Sequence, residues 1–227
     1  MSDQAPPAQL MFSLGRLVRG LSALFWGMPV ALVVCVQTAR TGFFEPFGIL
    51  PPMMVTGVLY YAVAQLGYFR QNERVWRAAL ERTKTAALIS LGLSPFLYWW
   101  KVMPDVPHYR IATFLMALSG FAFLLLLNHA LQRLVAMLPD ETLRIEAKLF
   151  TTLNIWLLAA LALFSAGWIT LAYTYRAFYL PAQLLATLSR AGIFLLLLLL
   201  LLPLALTMTL IWRIKELILS SVFSVKS

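Results

Sequence analysis

The charges of this chain are spaced so that six stretches of 16 to 27 residues contain no Asp, Glu, Lys or Arg. Wound as a helix at about 1.5 Å per residue, each stretch is long enough, or nearly so, to cross the roughly 30 Å hydrocarbon core of a bilayer. A segment in lipid has to satisfy its own backbone hydrogen bonds, which fixes the fold class before any other residue is read. The expected fold is all-α: a polytopic integral membrane protein with six transmembrane helices as three hairpins, with short amphipathic interfacial helices between them. The spans are predicted at Leu21–Ala39, Pro51–Phe69, Thr85–Trp100, Ile111–Gln132, Leu149–Tyr173 and Gly192–Trp212. A polar lead-in occupies 1–20, the bundle 21–212, and a cytoplasmic helical tail 213–227. The third span is the shortest. Its core between Lys84 and Lys101 holds 16 residues and is interrupted by Ser94-Pro95, so it spans only with both lysines reaching to the interfaces.

Composition agrees: a soluble chain is about half apolar and a quarter charged, whereas this one is 61% hydrophobic and 12% charged, with a mean hydropathy of +0.82. The net charge of +9 is not read as a nucleic-acid signature, because basic residues in short loops are what membrane topology itself demands and no loop is long enough to fold a reader domain. Cys35, the single cysteine, lies within the first span and reads as a small apolar filler. The first span is expected to be retained, since no basic n-region, short h-region and small-x-small site are seen.

Orientation follows from the loops. One side receives Arg16, Arg19, Arg70, Arg74, Arg77, Arg82, Lys84, Arg133, Arg144, Lys148, Arg213, Lys215 and Lys226, a total of 13 of the 18 Lys and Arg. The other receives Arg40, Lys101, Arg110, Arg176 and Arg190. By the positive-inside rule both termini are cytoplasmic, in what is expected to be a bacterial inner membrane. Tyr98-Trp99-Trp100, Tyr173 to Tyr179 and Trp212 fall where amphipathic rings favour the headgroup layer, and Tyr60 or Tyr61 is expected against the bundle interior.

The connections carry their own patterns. Between Arg70 and Lys84, Glu73 can pair with Arg77 and Arg77 with Glu81 at i,i+4, while Trp76, Ala79 and Leu80 form an apolar side. The segment reads as a helix on the inner leaflet or as an extension of the second span. Pro139-Asp140-Glu141, followed by Arg144, suits a helix start. Leu180 to Ser189 places Leu184, Leu185 and Leu188 on one side, as an interfacial helix does. The outer loop Thr41 to Leu50 contains Phe43-Phe44-Glu45-Pro46-Phe47 and is too apolar to lie free in water, so it is expected on the bundle mouth or in the interface.

Candidate chemistry is sparse. Asn128-His129, with Gln132, is the most polar cluster in any span; His129 is the one candidate ligand for a haem or chlorin, set against the plainer reading of an interface residue near Arg133. His108 falls on the opposite side, which argues against a paired axial site within one chain. Asn154, Gln37 and Gln65 read as hydrogen-bonding groups between helices, and Ser119-Gly120 and Ala166-Gly167 as points of close helix approach. Ser119 lacks the Gly-x-Ser-Gly context and histidine partner of an intramembrane protease. All nine acids lie outside the spans, which argues against ion-coupled transport. The Leu195 to Leu202 run has no polar face and is expected to face lipid or a partner.

No catalytic site and no metal site is expected, and the cofactor expectation is none apart from His129. The leading expectation is a non-enzymatic accessory or scaffold subunit of a larger membrane complex. Its partners are the lipid bilayer and other membrane subunits or a second copy, not nucleic acid, and Phe43, Phe44, Phe47 and Trp76 are the candidate partner contacts. Two rivals stand beside it: a small permease or channel for an uncharged or lipid-like solute, and a haem- or chlorin-binding subunit.

Overall fold

A computed structural model describes residues 7–41, 43–69, 73–138, 140–174 and 182–224. Every regular element among them is a helix: α1 (Pro7–Arg40), a 3-10 turn (Glu45–Phe47), α2 (Leu50–Leu66), α3 (Arg74–Leu93), α4 (Pro95–Val102), α5 (Pro107–Ala136), α6 (Glu141–Thr174) and α7 (Ala182–Ser224). Among the described residues four stretches are long and apolar enough to cross a membrane, namely Met11–Arg40, Pro107–Ala136, Glu141–Gly167 and Leu197–Ser220. This is a membrane protein on those grounds, and its outward positions agree. Trp26, Met54, Phe114, Trp156 and Leu163 are large, apolar and exposed, a surface that a protein in water rarely presents.

The second and third expected spans are not among those four, and each for a physical reason. α2 is apolar but has only 17 residues, a rise of about 26 Å against a core of roughly 30 Å. α3 carries Arg74, Arg77, Glu81, Arg82 and Lys84 at its start, and its apolar remainder ends where Pro95 interrupts the ladder. There the Ser94 hydroxyl donates to Leu91 O at 2.8 Å and its N–H donates to the same carbonyl at 3.3 Å, capping α3 as α4 begins. The segment from Arg74 to Lys84 is therefore the opening of α3. It does not extend α2, from which a turn through Phe69 divides it. Glu81 pairs with Lys84 at 3.7 Å; the Glu73–Arg77 and Arg77–Glu81 pairs do not form among the described residues.

Successive helices pack as neighbours: α1 on α2, α2 on α3, α3 and α4 on α5, α5 on α6, α6 on α7, with α7 returning to α1. Two ends of the bundle differ. The basal half, which holds the start of α1 and the end of α7, contains most of the buried core: Leu17, Leu21 and Leu24 of α1, Val63 and Leu66 of α2, Trp76 and Leu80 of α3, Leu127, Leu131 and Leu134 of α5, and Leu210, Ile211, Ile214 and Ile218 of α7. The helix continues past Trp212 as expected and packs on the bundle there, with Ile214 and Ile218 in the buried core. Likewise the lead-in before Leu21 is continuous with α1 from Pro7.

α1 and α2 approach most closely at glycines. A Cβ at Gly20 would lie 2.9 Å from Ala62 O and 3.1 Å from Gln65 Cβ, and one at Gly27 would lie 3.1 Å from Leu59 Cδ2. Two helical turns separate these glycines, so they share one face. Among the described residues the close approaches expected at Gly120 and Gly167 are absent: a Cβ at either has nothing within 4 Å. Ser119 is buried instead, its hydroxyl 2.8 Å from that of Ser90 on α3.

The expected interfacial helix at 180–189 is, from Ala182, the first turns of α7; Leu180 and Pro181, like Tyr175, Arg176, Phe178 and Tyr179, lie outside the described residues, as do Arg70, Pro139 and Lys226. Asp140 opens α6 as read. Its Oδ1 accepts from the Thr142 hydroxyl at 2.7 Å and from the amides of Thr142 and Leu143 at 2.9 and 3.2 Å. These bonds, the Thr142 hydroxyl foremost, hold its carboxyl below the usual carboxylate range. Arg144 donates to Ala136 O at 3.3 Å, tying the new helix to the end of α5.

Candidate functional site

Side chains that are small set the site. Ala31, Cys35 and Ala39 recur every fourth residue on α1, and Ala117 and Gly120 stand three apart on α5, so each helix brings a row of small residues to the wall, beside Leu32 and Val36 of α1 and Met116 and Phe121 of α5. Those two helices do not pack closely on one another. The space between them is a cavity of about 440 Å³, within the range of roughly 300 to 1,000 Å³ usual for small-molecule sites. Thr56 and Leu59 of α2 and Ala87 and Ser90 of α3 contribute to its wall; Leu97 and Trp100 of α4 line its distal end, and Leu200 and Leu204 of α7 its basal side. Val36, Ala117 and Gly120 are themselves exposed, so the cavity opens sideways, onto the outer surface of the bundle.

Its chemistry is almost wholly apolar. The lining includes no Asp, Glu, Lys, Arg or His. The hydroxyls at its rim bond to backbone carbonyls: Thr56 donates to Pro52 O at 2.6 Å, Ser90 to Ala86 O at 3.0 Å and Thr113 to Phe96 O at 3.4 Å. An occupant would find apolar surface and no buried group demanding a partner, which suits a hydrocarbon and offers neither acid, base nor nucleophile. Among the described residues no group of His, Cys, Asp and Glu could hold a metal ion.

One turn below the cavity, a polar clamp joins α5, α6 and α7. Asn128 Nδ2 donates to Leu124 O at 2.9 Å and to Thr207 Oγ1 at 2.8 Å; Asn154 Nδ2 donates to Asn128 Oδ1 at 2.9 Å and to Thr207 Oγ1 at 3.1 Å; Thr207 Oγ1 in turn donates to Pro203 O at 2.8 Å. All five hydrogens are used, and turning the Asn128 amide over would set its oxygen against the Leu124 carbonyl, so the network has one consistent sense. Asn154, fully buried, keeps a single acceptor, Oδ1, without a protein partner. The expectation that Asn154 bonds between helices holds. Thr207 went unforeseen, because nothing in the sequence sets it apart from Thr209 two residues on.

The remaining candidates are scattered. His129 is exposed on α5, turned away from the face that buries Asn128 and outside the cavity lining. Trp76, a candidate partner contact, is 1% exposed, and its indole N–H donates to Phe69 O at 3.0 Å; it fills the chain's own core and offers no surface to a partner. Phe43 and Phe47 are 76% and 61% exposed, whereas Phe44 is half-buried with its ring edge-on to Phe43 at 5.0 Å. Their loop is tethered to α4, where Lys101 Nζ lies 2.8 Å from Glu45 Oε1, and Gly48 takes the left-handed conformation at φ 57° beside the Tyr98 ring. Gln37 accepts from the Thr41 hydroxyl at 2.8 Å within one helix end and does not bridge helices there. Tyr60, the less exposed of the tyrosine pair, packs against the core.

No protein-family model matches the chain, and neither a curated protein nor a solved structure proves similar to it.

Proposed function

We propose that this protein is a multi-pass membrane protein that takes a lipid-like or otherwise uncharged apolar solute into its bundle from the side, as a small permease for such a molecule would. The observation that carries this reading is the apolar cavity between α1 and α5, open laterally and lined without a charged group. The same reading orders the helices as six crossings in three antiparallel pairs: α1 with α2, α3 and α4 with α5, and α6 with α7. The neighbour relations of these helices support that arrangement, and the uneven sharing of Lys and Arg between the two ends supports a basal end facing the cytoplasm of a bacterial inner membrane.

The test is native mass spectrometry of the full chain released from detergent, set beside Gly120→Phe. Gly120 lines the cavity and has open space where a Cβ would sit, so the larger ring fills the void without displacing a packed neighbour. The natural protein is expected to fly with an apolar adduct of lipid or solute mass that the variant lacks. An adduct pattern identical in both proteins would end the reading.

A second reading, an accessory subunit docking to another membrane protein, is favoured by Phe43 and Phe47, two exposed rings on a loop that Glu45 pins to Lys101. A photo-crosslinking residue at position 43 is expected to capture one protein of defined mass in native membranes. Lipid-only adducts would remove this alternative.

A further inference from the structure

The cavity has the length and the polarity gradient of one leaflet. Its lining begins at Met28 and ends at Ala39 on α1, and runs from Leu124 to Thr113 on α5, in each case a rise over eleven residue steps of about 16 Å, roughly half the hydrocarbon core. Below it, packed leucines and the Asn128–Asn154–Thr207 clamp close the bundle. Above it the charges resume at once: Arg40 follows Ala39, Lys101 follows Trp100, and Arg110 stands one turn before Thr113. These three share one end of the bundle. The Lys101–Glu45 pair joins α4 to the loop after α1, and the Tyr109 ring, next to Arg110, lies 5.9 Å from that of Trp99. Lys101 is engaged by Glu45, and Asp105 is the other acid in the loops at this end; Arg40 and Arg110 enter no ion pair among the described residues.

We infer that the cavity seats one acyl chain of an anionic glycerophospholipid drawn from the surrounding leaflet, with its phosphate at Arg40 and Arg110. The inference rests on the cavity reading above and narrows it to a headgroup charge and a chain depth. An apolar slot that opens along its side, runs about the length of one leaflet and is followed within one turn by Arg40 on α1 and Arg110 on α5 is matched by a molecule with a single-leaflet tail and a negative head. Arg is suited to that head because its planar fork can grip a phosphate through two N–H donors. Two basic groups in the headgroup layer give a preference for anionic over zwitterionic lipid on the order of tenfold in affinity.

Cys35, the sole cysteine, lines the cavity and reports its occupancy. The full chain is delipidated in a neutral detergent, and the rate of Cys35 modification by N-ethylmaleimide is followed as dioleoyl phosphatidylglycerol or dioleoyl phosphatidylcholine is titrated in, while native mass spectrometry counts the lipids retained in the same samples. Phosphatidylglycerol is expected to protect the thiol, and to be retained, at about one tenth of the phosphatidylcholine concentration. Arg40→Gln with Arg110→Gln should erase that difference while leaving protection by either lipid at high concentration, and Gly120→Phe should abolish retention of both. Equal protection by the two lipids in the natural protein would overturn the anionic assignment and leave the cavity reading standing. Retention of lipid that Gly120→Phe leaves untouched, or no retention of either lipid, would overturn both.

Discussion

The basal and distal halves of this bundle both rest on long apolar helix segments and solve opposite problems. In the basal half the large side chains meet: fully buried leucines from α1, α2 and α5 interlock with the isoleucines of α7, Gly20 lets α1 press onto the backbone of α2, and three polar side chains lock α5, α6 and α7. In the distal half small residues face one another, α3 breaks at Ser94 and resumes as α4, and a void remains. Hydrophobicity alone therefore does not determine packing in lipid, where the surrounding solvent is as apolar as leucine. What decides it is side-chain volume at facing positions and a few hydrogen bonds that hydrocarbon cannot replace. The tight half serves as the frame that holds the open half apart.

The sharpest way to break that contrast is one substitution made in each half. Gly20→Ala places a methyl 2.9 Å from Ala62 O, a backbone atom that moves only with its helix, so the basal pair must separate, with an expected loss of about 1 to 3 kcal/mol. Gly120→Ala meets nothing within 4 Å and gains up to about 1 kcal/mol of helix propensity. Thermal unfolding of both variants in one detergent should move the midpoint in opposite directions. Two shifts of the same sign would show that the halves do not differ in packing as described.

Hydrogen bonds allow the same comparison at smaller amplitude. Thr207→Val removes the acceptor shared by Asn128 and Asn154 and leaves two buried N–H groups without partners, which costs about 1 to 3 kcal/mol. Ser90→Ala, in the distal half, leaves Ser119 bonded to Met116 O at 2.8 Å and should cost no more than about 0.6 kcal/mol, the average for a polar contact between membrane helices. Comparable losses from the two would mean that the clamp is no stronger than an ordinary serine pair.

The helices themselves were legible because charge spacing is a one-dimensional signal: charge-free stretches became helix cores, and the Ser94-Pro95 interruption became the junction of α3 and α4. Facing was not legible. Within a uniformly apolar segment no periodicity says which side turns inward, so His129 drew attention although Asn128, rotated by about 100°, is the residue that is buried. The pattern that sets Trp76 on an apolar face with Ala79 and Leu80 does not say what covers that face, which is the chain's own turn after α2. Gly20 and Gly27 carry a seven-residue spacing that puts them on one helix face, but the spacing alone does not say that α2 lies against it. The cavity is written in Ala31, Cys35, Ala39, Ala117 and Gly120, and becomes visible only once α1 and α5 are known to face each other, a pairing that single-sequence patterns do not contain.

The smallest expected effect concerns the rim of the basal half, where Asp140 starts α6. Its carboxyl titrates below the ordinary value of 3.8 because the charged form is hydrogen-bonded in the folded protein. A depressed folded-state value means that the unfolded chain binds the proton first, so the contribution of this cap is fully present above the unfolded value and fades as pH falls through the folded one. Asp140→Asn keeps a side-chain oxygen for the Thr142 and Leu143 amides but has no charge to lose. Between pH 6 and 3, exchange of the first amides of α6 with deuterium, corrected for the intrinsic pH dependence, should accelerate in the natural protein and stay level in the variant. The buried contacts at Leu210 and Ile214 should be indifferent to either change. If those core amides loosen in step with the cap, the frame is less independent of its edge than the packing contrast requires, and the two halves would have to be treated as one cooperative unit.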